Sequence, residues 1–178
     1  SDNSCEGITI FGSAGSGGIY IARNKVYNNG NPGTPWAIDI ASVIDVGNIQ
    51  MTDNEIYSNH GYGIILNAAA NYVVNVSIIS NSIYLNTIGV RISAKSCDNT
   101  YISQNTISEN SKTGISINAE NMFVLNNSIS HNGDGIEFWD CSGIAHYNNI
   151  FGNGAGIVTL GNATANAENN YWGHESGP

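Results

Sequence analysis

The 178-residue chain is short of charge, and above all of positive charge. Five Lys+Arg stand against fourteen Asp+Glu, a formal net charge of −9. So few cations argue against a nucleic-acid partner, which needs clustered Lys and Arg, and against docking on anionic lipid. No apolar run approaches the ~20 residues that span a bilayer, so membrane insertion is not expected. Nothing at the amino end has the layout of a secretory signal; any targeting segment is expected to have been removed or to lie elsewhere. Three cysteines (Cys5, Cys97, Cys141) give an odd count without metal-ligand spacing and are expected to be buried thiols. The four histidines, His60, His131, His146 and His174, share no ligand spacing either. No metal or other cofactor is expected, with calcium left open as the one exception. No window carries the apolar period of a helix.

What the chain has is Asn, Gly and β-branched residues in a repeat. Asn-x-Ile/Val-x-x-Asn starts at Asn24, Asn54, Asn81, Asn105, Asn127 and Asn148, with a degraded seventh copy at Asn169. A second mark, Gly-Ile-x-Ile or close to it, falls at Gly7, Ala37, Gly63, Gly89, Gly114, Gly135 and Gly156. Two marks running in step through almost the whole chain make a solenoid. Inside each repeat the apolar spacing is two, as in Ile64/Leu66, Val76/Ile78 and Ile115/Ile117, which means strands.

Three short strands per repeat of 21–30 residues describe one coil of a parallel β-helix. The fold class is therefore all-β: a single-stranded right-handed parallel β-helix of about seven coils, the hand following from the rule for parallel crossovers. Coils begin near residues 7, 37, 63, 89, 114, 135 and 156, with a carboxyl-terminal cap over about 169–178. Stacking at the interstrand spacing gives a rod roughly 34 Å long. Asn24, Asn54, Asn81, Asn105, Asn127, Asn148 and Asn169 are expected to form one amide ladder at a corner, and Asn29, Asn59, Asn86, Asn110, Asn132 and Asn153 another. Gly before the next Ile supplies positive φ or close backbone approach. Tyr171 is expected in the internal Ile column and Trp172 in the phase of Phe151, two rings plugging the end of the core. Gly173 and Pro178 then stop further pairing. The amino end shows no such cap, so the chain is expected to be a fragment of a longer protein or to dock there.

The coil resembles the right-handed parallel β-helix repeats of the pectate-lyase-like superfamily, above all the NosD-like repeats, also grouped as carbohydrate-binding and sugar-hydrolase modules. The ending NNYWGHESGP resembles the Asn-Tyr-Trp-Gly…Gly-Pro close of bacterial and archaeal surface and secreted β-helix proteins. The resemblance covers residues 7 to 178 and implies a fold more than a function. The catalytic motifs of polygalacturonase-like hydrolases and alginate epimerases are absent, Arg91-Ile92 being followed by Ser93 rather than Lys. The calcium-binding Gly-Gly-x-Gly-x-Asp repeat is absent as well.

Candidate ligand-binding residues come from the outward positions. One outward row of the Gly-Ile-x-Ile sheet runs Thr9, Asp39, Ile65, Arg91, Ser116, Glu137, Val158. The next runs Phe11, Ala41, Asn67, Ser93, Asn118, Trp139, Leu160. Asp39 and Glu137 lie two coils either side of Arg91, about 9.6 Å, within reach of one bridging sugar. Asp134, Glu137, Trp139 and Asp140 form the densest group; a ring beside carboxylates suits a sugar. Were the chain an enzyme, Glu137, Asp140 and Arg91 would be its catalytic residues. Tyr27, Tyr57 and Tyr84 form a corner stack that either shields the backbone or offers a stripe to a glycan or a neighbouring subunit. Three sequons, Asn75, Asn126 and Asn162, permit glycosylation. The expected function is a non-catalytic extracellular or cell-surface β-helix module, part of an S-layer-like or filament protein, whose partners are a polysaccharide or glycan, or further copies of itself. The alternative is a polysaccharide lyase, glycoside hydrolase or epimerase.

Overall fold

A computed structural model describes residues 7–11, 18–30, 36–41 and 46–173. Cys5, His174, Pro178 and most of the loop between Asn28 and Trp36 lie outside the described residues. The strands are short, parallel and stacked. The first face is built from Ile8–Phe11, Trp36–Ala41, the opening parts of Tyr62–Ile79, Ile88–Ser103 and Thr113–Leu125, then Asp134–Trp139 and Ala155–Leu160. The second face continues from Ile19–Ala22 and Val46–Thr52 to Ser142–His146 and Thr164–Asn166. The third is a separate six-stranded sheet of three-residue strands, from Lys25–Tyr27 to Asn149–Phe151. From Tyr62 to Leu125 the first two strands of each coil run together as one strand of 13 to 18 residues, where separate short strands are expected from the sequence. Five successive turns, from Tyr62 onward, are described without a gap.

The period-two pattern works because each inward residue sits on its counterpart one coil away. Val26, Ile56, Ile83, Ile107, Ile129 and Ile150 are in register across five successive strand pairs and are almost fully buried. Ile38, Ile64, Val90, Ile115 and Ile136 form a second column with no exposed surface. Burial of such side chains contributes on the order of 1.5–3 kcal/mol each before entropy is counted.

Corners are made by left-handed residues. Arg23, Asp53, Ser80, Gln104, Asn126, Tyr147 and Asn169 all have φ near +55°. Each directly precedes a rung of the first ladder. The bend thus falls on the residue before the Asn, not on the Asn itself. The rung then repairs the backbone that the bend leaves unpaired. Asn105 is typical: its Nδ2 donates to Ile78 O at 2.9 Å and to Asn127 Oδ1 at 3.0 Å. Its Oδ1 accepts from the backbone N and the Nδ2 of Asn81. The second ladder repeats this arrangement from Asn29 to Asn153. A third, exposed ladder was not expected: Asn99 Nδ2 donates to Asn75 Oδ1 at 2.7 Å and Asn75 Nδ2 to Asn48 Oδ1 at 3.1 Å.

Two details of the terminal coil are corrected. The last rung of the first ladder is Asn170, whose Oδ1 accepts from Asn148 Nδ2 at 3.0 Å; Asn169 is the left-handed residue before it. The phase therefore moves by one. Tyr171 pairs with Asn149 on the outside and is 50% exposed, whereas Trp172 packs on the core and closes its end. The repeated Gly before Ile is explained by close approach rather than by φ. A Cβ on Gly63 or Gly89 would stand 2.7 or 2.6 Å from the carbonyl oxygen of the next glycine in the column.

Interior rungs should therefore dominate stability. Asn105→Ala strands several buried groups at about 1–3 kcal/mol each, so a loss of roughly 3 kcal/mol or more is expected. Asn99→Ala, on the exposed ladder, should stay within about 0.5 kcal/mol of wild type. Guanidinium denaturation followed by circular dichroism separates the two.

Candidate functional site

Both outer rows of the first face stand in the anticipated register, Asp39 beside Ile65, Ile65 beside Arg91, Arg91 beside Ser116, and Ser116 beside Glu137. A third outer position adds Tyr62, Ile88, Thr113 and Asp134 in line. Where these rows meet the corner after the second ladder, Arg91, Lys112, Asp134, Glu137 and Trp139 line one open groove of about 560 Å³. Ile88, Thr113 and Gly133 complete its wall.

The Trp139, Arg91 and carboxylate groups in the groove are each engaged. Trp139 Nε1 donates to Glu137 Oε2 at 3.1 Å, which sets the tilt of a ring that remains 41% exposed. Arg91 Nη1 donates to Ser116 Oγ at 3.0 Å, laying the guanidinium along the floor. Asp134 and Glu137 are close enough to share a hydrogen bond. Partial burial first, then the Glu137 charge and that hydrogen bond, raise the Asp134 carboxyl above its usual range.

Two residues grouped with these in the sequence stand apart. Asp39 is in the row but only 4% exposed and already engaged within the fold, so it does not present a carboxylate to the surface. Asp140 lies at the next corner in a left-handed conformation, its Oδ1 accepting from the backbone N of Asn162 at 2.9 Å. It ties two coils together, and the carboxylate pair that forms is Asp134 with Glu137 rather than Glu137 with Asp140. Lys112 was missed. The available signal was its place directly before Thr113, which shares the row of Asp134.

The Tyr27–Tyr57–Tyr84 stack forms with ring centroids 5.1 and 5.0 Å apart and planes within 8°. That spacing leaves no room for a sugar ring between them, so only edges and the two end faces are open. Tyr84 Oη donates to Glu55 Oε1 at 2.8 Å, and Glu55 Oε2 meets Lys25 Nζ at 2.7 Å. Lys25 and then Tyr84 hold the Glu55 carboxyl below its usual range. Desolvation and then Glu55 push the Tyr84 hydroxyl up to about 12. Among the described residues no three His, Cys, Asp or Glu side chains gather as a metal site. Cys97 and Cys141 are free and buried, and burial pushes the Cys97 thiol up to about 12.

The Asp134 shift has a pH signature. A raised carboxyl pKa means that the fold favours the protonated form. That contribution is complete below the ordinary carboxylate pKa and is lost as pH rises through the elevated value. Asp134→Asn should therefore raise the melting temperature at neutral pH, and the gain should vanish below about pH 4. Calorimetry across that range checks it.

Neither a curated protein nor a solved structure matches the chain. The family model described as a right-handed β-helix region matches residues 38–175, most of the chain and every coil from the second onward. With stacked parallel strands, internal Ile columns and Asn-lined corners throughout the described residues, the chain belongs to the right-handed β-helix family.

Proposed function

We propose that the protein is a non-catalytic extracellular β-helix module, part of a cell-surface, S-layer-like or filament protein, and that its first-face groove holds a glycan. The observation that carries this reading is the exposed Trp139 ring, fixed by Glu137 at the edge of a groove that also contains Arg91 and Lys112. Sugar C–H faces pack on an indole, and the surrounding charged groups bond to hydroxyls or to acidic substituents. The scarcity of charge and the resemblance of the ending to the close of surface β-helix proteins favour an extracellular setting.

One observation favours a second reading, a lyase, hydrolase or epimerase. Asp134 with its raised pKa beside Glu137 is a carboxyl pair of the kind that divides acid and base roles, and Arg91 lies in the same groove. Lyases release unsaturated products and hydrolases release reducing ends, so the two readings separate by assay. Titration calorimetry over acidic glycans, whose charge suits Arg91 and Lys112, should give binding that Trp139→Ala weakens at least tenfold, about 1.4 kcal/mol. Product assays on the same glycans should stay blank. Turnover abolished by Glu137→Gln would establish the enzyme instead, and absence of binding by every glycan would remove the glycan reading.

A further inference from the structure

The second face carries a different surface. Its outward row runs Tyr20, Gln50, Ser77, Tyr101, Phe123, one residue per coil. Tyr101 stacks on Phe123 at 5.3 Å, so its other face is turned toward Ser77, the smallest side chain of the row. At the other end Tyr20 is 63% exposed, its Oη accepting from the Thr52 hydroxyl at 3.3 Å. Two rings thus stand three coil steps apart, about 14 Å, with only Gln50 and Ser77 on the floor between them. This makes an open trough of about 720 Å³.

The exposed ladder of Asn48, Asn75 and Asn99 forms the side wall. It differs from the buried ladders in one respect. A buried rung such as Asn81 donates from Nδ2 to two backbone carbonyls as well as to the next rung, and its capacity is filled. Asn75 gives one N–H to Asn48 and one lone pair to Asn99. One N–H and one lone pair on its amide are left for solvent or a ligand. None of the nine residues lining the trough is charged.

We infer that the second face holds a separate binding site for a neutral oligosaccharide lying along the rod axis, clamped between Tyr20 and Tyr101 and hydrogen-bonded by the Asn48–Asn75–Asn99 amides and Gln50. Paired donor and acceptor groups in a row match vicinal hydroxyls, and rings at both ends match the apolar faces of pyranoses. A uronic-acid chain finds no cation here and meets the field of a protein of net charge −9. A single-stranded nucleic acid lacks the basic track it requires. The span admits about three sugar rings. This site does not depend on the first-face groove.

The test is titration calorimetry with neutral and uronic-acid oligosaccharides of graded length. Neutral chains should bind, with affinity rising to about three or four rings and then levelling off. Tyr101→Ala should weaken binding about tenfold or more. Ser77→Trp, which fills the floor from an outward position, should abolish it at unchanged melting temperature. Trp139→Ala should leave it intact. The inference is overturned if no neutral chain binds, if uronic chains bind this face equally well, or if Trp139→Ala abolishes the binding and Ser77→Trp does not. It is overturned as well if ultracentrifugation shows a dimer that Ser77→Trp dissolves, which would make the trough a contact between copies.

Discussion

The whole rod depends on turning corners without leaving buried backbone groups unpaired. A β-helix must bend its chain several times per coil, and each bend here takes a left-handed residue that is usually not glycine. Such a conformation costs about 1 kcal/mol or more. The following Asn returns more than that. Asn127 donates through Nδ2 to Ile102 O, Leu125 O and Asn148 Oδ1, and its backbone N reaches the same Oδ1. Two amide hydrogens, one of them shared between acceptors, and one backbone N–H make about three bonds; at a net 0.5–1.5 kcal/mol each they outweigh one strained residue by roughly 2 kcal/mol. The ladder also fixes register. An amide that bonds one rung up and one rung down holds adjacent coils in line, and the Ile columns then meet their counterparts.

This explains how much was legible in the sequence. Asn and Gly-Ile recur because the corner and the close approach accept almost nothing else, so the solenoid, the strand phase of the interior coils and all but the last rung of the buried ladders could be read directly. The left-handed positions could not. They are occupied by residues as unlike as Arg, Asp, Gln, Leu, Glu, His and Tyr, whose strain is offset by the next residue and leaves no mark of its own. The doublet Asn169-Asn170 shows the consequence. Either residue satisfies the motif as text, and only the bond from Asn148 selects Asn170. That single step sent Tyr171 outward and Trp172 onto the core.

Outward residues were legible as rows but not as a site. Register placed Asp39, Arg91 and Glu137 correctly along the sheet, yet register says nothing of cover. Asp39 is buried although its phase is outward. Asp140 is adjacent to Trp139 in the chain but already belongs to the corner, where the strand's alternation stops and its carboxylate caps the next coil. Asp134 and Lys112 enter the groove because a corner delivers them to it. Groove composition is therefore decided partly by the residues that follow the corner Asn, which the repeat leaves free.

The two grooves show how one repeat yields unlike surfaces. Inward positions are nearly uniform in kind, since a stacked column takes apolar side chains, mostly Ile and Val. Outward positions are free, and the fixed interstrand rise turns that freedom into a one-dimensional array of chosen groups. On the first face the array concentrates charge beside an indole, and on the second it sets unsaturated amides between two tyrosines. The tyrosine stack at the third-face corner uses the same rise differently: its rings sit on every successive coil, so they fill each other's faces. Tyr20 and Tyr101 leave two coils between them empty of rings, and that omission separates a trough from a sealed stack.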